Sequence, residues 1–100
     1  MTVRVGMQAP YGCRLIVPAT EDFAPLNVTG AALEITKPSG TLATWPADIV
    51  SRTATALTVS YPFAEGDINE EGVWRVWISC RTATPGELLR TEVRSFEVIG

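Results

Sequence analysis

A chain of 100 residues can bury one hydrophobic core but not two, so a single domain spanning residues 1–100 is expected. Its 8 basic and 11 acidic side chains lack the concentrated positive field that nucleic-acid phosphates require, which excludes DNA and RNA as expected partners. With no His, and only Cys13 and Cys80 as thiols, His-based triads and the usual zinc sets cannot be assembled, so the expectation is a protein that is not an enzyme and carries no cofactor.

In chain order, the opening MTVRVGMQAP lacks the basic-then-apolar pattern of a signal peptide, and no apolar run approaches the ~20 residues of a membrane helix. A soluble chain made in the cytoplasm, with no membrane partner, is expected. TVRVGM places Val3 and Val5 on one face of a first strand, and CRLIVP gives a short apolar strand ended by Pro18. AALEITK alternates through Ala31, Leu33 and Ile35. The tetrad Lys37–Gly40, KPSG, then reads as a turn with Pro preset at its second position, leading into TLATWPA as the returning strand of a hairpin. ALTVSY puts Leu57, Val59 and Tyr61 on one face, GVWRVWISC makes the longest strand, RTATPGEL holds a Pro-Gly turn, and TEVRSFEVI closes the chain. Apolar residues nowhere keep helical spacing over three turns; only PFAEGDINEEG has room for a helical turn. The pattern predicts an all-β, antiparallel β-sandwich of about seven strands.

The stretch EGDINEEGVWRVW, Glu65–Trp77, is the densest in polar chemistry. As an EF-hand loop it would set Asp67, Asn69 and Glu71 at the first, third and fifth ligand positions and Gly72 at the sixth. The twelfth position, where a bidentate carboxylate must close the shell, is Ile78, so no structural calcium is expected. The alternative is a solvated turn ahead of a strand. EEGVWRV resembles the Asp-x-Gly-x-Tyr-x-Cys corner before strand F of immunoglobulin-like domains, with Glu70, Gly72, Trp74 and Val76 at the acid, glycine, tyrosine and cysteine positions. Trp74 lacks the corner's hydroxyl, and Val76 cannot form the inter-sheet disulfide. Cys13 and Cys80 are expected as free thiols.

A wider resemblance spans nearly the whole length: VRVGM at the start, LNVTGAALEITKPSGTLATWPA, then YPFAEGDINEEGVWRV, and TEVRSFEV at the end. It resembles a group of short tailed-phage and prophage proteins, similar in plan to the N-terminal immunoglobulin-like domain of phage baseplate upper proteins. Leu26, Gly30, Ala31, Lys37, Pro38, Gly40, Trp45, Gly66, Asp67, Gly72, Trp74, Phe96 and Val98 occupy that group's recurring positions. The resemblance implies an immunoglobulin-like fold and a virion structural role: a non-enzymatic subunit of a tail, baseplate, fibre or capsid surface, present in several copies and bound to other virion proteins. The alternative is a carbohydrate- or receptor-binding module whose three Trp would stack on sugar rings.

Two further expectations come from strand parity. The core should include Leu15, Leu33, Ile35, Leu57, Val59, Trp74, Val76, Ile78, Phe96 and Val98. Along GVWRVWIS a period of two sends Trp74, Val76 and Ile78 inward and Val73, Arg75 and Trp77 to the other face. Interfaces are enriched in Trp and Arg, so Val73, Arg75 and Trp77 are the candidate protein-interface residues.

Overall fold

The computed structural model of the chain describes residues 3–8, 11–84, 86, 88–91 and 93–100. The period-two segments form strands β1 (Val3–Arg4), β2 (Gly12–Pro18), β3 (Val28–Thr36), β4 (Leu42–Arg52), β5 (Ala56–Pro62), β6 (Gly72–Thr82), β7 (Leu88–Arg90) and β8 (Arg94–Ile99). The helical turn is a 3-10 turn at Pro25–Asn27, ahead of β3, and not in the acidic stretch. Pro25 starts it because its fixed φ suits the first helical position and its missing N–H would have no partner there anyway.

The chain is all-β, as expected, but its strands do not divide into two antiparallel layers. Hydrogen bonding runs without a break in the order β1-β8-β6-β3-β4-β5-β2, with β7 beside β6, to give one strongly curled, half-barrel sheet. β4 carries the ladder round the corner. Its first half pairs with β3, from Thr36↔Leu42 to Ala31↔Ala47, and its second half pairs with β5 from Asp48 to Arg52. A register shift between Ile49 and Ser51 adds local twist at that bend. The sheet is also mixed: β1 runs parallel to β8, Val3 against Val98, so the two ends of the chain are joined. β7 was not expected, because LLR is too short to show an alternation. It pairs with β6 at Ser79–Arg81, just beyond the stretch of β6 that pairs with β8.

The hollow of the curl holds the core. Leu33, Ile35, Leu57, Val59, Trp74, Val76, Ile78 and Val98 are buried as expected. Each buried aliphatic side chain contributes about 1.5–3 kcal/mol relative to exposure. Val17, Val28, Trp45, Phe63 and Ile68 join them. Trp45 stacks on Tyr61 with ring centroids 4.9 Å apart and meets Phe63 edge-on at 5.8 Å. Leu15 and Phe96 depart from expectation. Both are only half-buried, because they line the gap between β2 and β8, where the curled sheet does not close on itself. Cys13 and Cys80 are free thiols on strands separated by β5, β4 and β3 in the sheet order.

Candidate protein-interaction site

The site begins at the turn between β3 and β4. Pro38 presets the turn, Gly40 closes it at φ +89°, and the Gly40 N–H donates to the Lys37 carbonyl at 2.9 Å. The acidic stretch folds against this turn. Lys37 Nζ donates to Asn69 Oδ1 at 3.0 Å, while Ser39 gives its N–H to Glu70 Oε1 and its hydroxyl to Glu70 Oε2, at 3.1 and 3.0 Å. Asp67 Oδ2 accepts from the Tyr61 hydroxyl at 2.5 Å and from the Ala64 N–H at 2.7 Å. Ile68, between these polar residues, is buried in the core. Of the groups that resembled cation ligands, Asp67 and Asn69 are thus bonded to donors of the chain itself, as is the neighbouring Glu70. Among the described residues, no group of three or more His, Cys, Asp or Glu side chains is placed to hold a metal.

The same corner ties down Trp74. Its Nε1–H donates to the Glu70 carbonyl, four residues upstream, at 3.0 Å. An indole N–H thereby makes the backward bond that the tyrosine hydroxyl makes in an immunoglobulin corner, a substitution that the sequence reading did not anticipate. Lys37 Nζ lies 5.5 Å from the Trp74 ring centroid, and Phe96 stacks on the other side at 5.8 Å. Gly72 is needed where the turn packs on β6. Its φ is +124°, and a Cβ there would meet Pro38 Cγ at 3.0 Å.

β6 then presents its outer face beside this rigid corner. Val73 and Arg75 are exposed and Trp77 is half-buried. Strand register aligns Leu42, Thr36, Arg75 and Ser95 in one row across four strands, and Thr44, Glu34 and Trp77 in the next. Leu42, across Thr36 from Arg75, is 73% exposed, and Val73, two residues before Arg75 on β6, is 56% exposed. A shallow depression of about 260 Å³ lies among Thr36, Lys37, Pro38, Gly40, Val73 and Arg75. The structure therefore gathers the three sequence-identified residues on one face and adds Leu42, Thr36 and Glu34. The KPSG hairpin could have located Leu42, since the turn fixes which residue comes opposite Thr36.

Trp77 has one unusual feature. Its Nε1 is buried and has no hydrogen-bond acceptor among the described residues, an arrangement that costs about 1–3 kcal/mol. Trp45 and Trp74 are both buried, so two of the indoles considered for sugar stacking are turned into the core. No family model, curated protein or solved structure matches the chain. No helix among the described residues is long and apolar enough to cross a membrane.

Proposed function

We propose that this protein is a structural subunit of a tailed-phage virion, joined to other virion proteins through the outer face of β6. One observation carries the reading: an outer face with Val73 exposed beside Arg75 and Leu42 exposed across Thr36 from it, standing on a corner immobilised by the Glu70 and Trp74 bonds. Exposed apolar side chains around an arginine have the composition of an interface core, and a surface that is already rigid loses little entropy when it docks.

The motif order that resembles baseplate upper proteins supplies the virion context. The curled sheet is then read as an opened form of the immunoglobulin-like plan, supported by the Trp74 corner and by β4 turning between its two partners. In a particle the subunit would be present in several copies and act without catalysis or cofactor.

The test is assembly. Val73→Asp combined with Arg75→Glu should leave the free chain folded, since both positions are exposed, and should abolish its recovery with purified particles. Full incorporation of this variant would remove the β6 face from the proposal. Failure of the unaltered chain to copurify with particles would remove the virion role itself.

A further inference from the structure

β2 and β8 face each other across the unclosed side of the half-barrel, and among the described residues no backbone ladder joins them. Tyr11 O accepts from Phe63 N and Ala19 N donates to Thr55 O, so the odd-numbered residues of this segment bond toward β5. The even-numbered residues Gly12, Arg14 and Ile16 must then turn their N–H and C=O groups outward. On β8, Ile99 O accepts from Val5 N, and β1 pairs only with Val98 and Ile99. By the same parity Glu97 gives its C=O to the β1 ladder opposite Val3, and among the described residues Ser95 has no ladder partner for its outward backbone groups.

Between these edges lies a cavity of about 240 Å³ whose apolar wall includes Val3, Cys13, Leu15, Phe63, Val76 and Phe96. One side chain crosses it: Arg94 Nη2 donates to the Ile16 carbonyl at 2.7 Å. Among the described residues no carboxylate sits on Arg94. Arg14, in a cross-strand row with Ser60 and Asp48, likewise makes no ion pair among the described residues, so both edges of the seam carry positive charge.

We infer that the seam accepts an extended segment of another protein chain as an added strand, with apolar side chains at alternate positions and a carboxylate facing Arg94. Added strands gain affinity from main-chain bonds and specificity from the pockets that take alternate side chains. The seam supplies both, since Leu15 and Phe96 are the half-covered walls such side chains would fill. β2 and β8 are separated by five antiparallel pairings and so run in opposite senses, which makes the guest antiparallel to one and parallel to the other. Displacing the Ile16 bond frees the guanidinium, and a carboxylate on the guest would take it in a stronger, charge-assisted pair. A second copy adding through its own β2 is disfavoured, because it would bring two Arg14 and two Arg94 side chains to one seam. This surface is separate from the outer face of β6.

The experiment titrates the full chain, by amide-resolved NMR, with a short end-blocked peptide that alternates valine and glutamate, and with its valine–lysine counterpart. The glutamate peptide is expected to shift and protect the amides of Gly12, Arg14, Ile16 and Ser95, with an affinity that falls as salt rises. Arg94→Ser should weaken it by about tenfold, the loss of one charge-assisted bond. Ile16→Pro should also weaken it, by deleting an outward donor at an edge position where proline is tolerated. Equal binding of the lysine peptide, shifts confined to other surfaces, or no binding would each overturn the inference. So would slow exchange of the Arg14 and Ser95 amides in the free protein, because the seam would then already be closed.

Discussion

Replacing Trp74 with Phe tests the corner beside which the outer face of β6 stands. The substitution keeps an aromatic ring between Lys37 and Phe96 but deletes the indole N–H, leaving the part-buried Glu70 carbonyl without its donor. That loss costs about 1–3 kcal/mol. Trp74 is fully buried, so the smaller ring also leaves a void. Truncating a buried Trp to Ala costs about 3–5 kcal/mol, and the partial truncation to Phe should cost about 1–2 kcal/mol. Together these predict a destabilisation of about 2–5 kcal/mol, a large part of the roughly 5–15 kcal/mol available to a domain. For this chain length each kcal/mol moves Tm by about 4–8 °C, so a fall of about 10 °C or more is expected. Urea unfolding followed by far-ultraviolet circular dichroism measures it without relying on the fluorescence being altered. Glu70→Ala is the companion variant: it keeps the carbonyl and removes the exposed bonds to Ser39, and should cost only about 0.5–1.5 kcal/mol. A loss below about 1 kcal/mol for Trp74→Phe, or one no larger than that of Glu70→Ala, would refute the corner argument.

Trp77→Phe should behave in the opposite way, because it removes a buried donor that has no acceptor among the described residues; urea midpoints should be unchanged or higher, by up to about 1 kcal/mol. A fall of more than 1 kcal/mol would mean that the N–H is satisfied in solution. Gly72→Ala should lower stability by about 1–3 kcal/mol, since φ is +124° and the new Cβ meets Pro38; a neutral result would show that the turn can move away from β6. Tyr61 is held above its ordinary value of 10.0, to about 12, first by partial burial and then by the hydrogen bond and charge of Asp67. Its folded pKa being the higher one, the stabilisation it contributes is complete below pH 10 and is lost as pH rises through about 12. The difference in tyrosinate absorbance between the native chain and Tyr61→Phe should therefore titrate near pH 12, and a midpoint near 10 would contradict the Asp67 contact.

Strand identity was legible in the sequence because a strand's side chains alternate with a period of two whatever the strand packs against. That is why Leu33, Ile35, Leu57, Val59, Trp74, Val76 and Ile78 could be assigned to the core, and why Val73, Arg75 and Trp77 could be assigned to one shared face of β6. The KPSG turn was legible for a similar reason: proline and glycine fix backbone angles locally. Closure of the sheet was not, because it depends on which strand edges meet, and alternation carries no information about edges. A seven-strand sandwich and an eight-strand half-barrel share almost the same apolar pattern. Leu15 and Phe96 read as core in either, yet in the fold they border an open seam. Likewise the acceptors of the acidic stretch met their donors only because β3 and β4 bring the Lys37–Gly40 turn against it. Glu70 reaches Ser39 across 31 residues of chain, and no local pattern specifies a bond made at that separation. Which strand edges face each other without a ladder among the described residues, those of β2 and β8, was decided there as well, by the tertiary pairing.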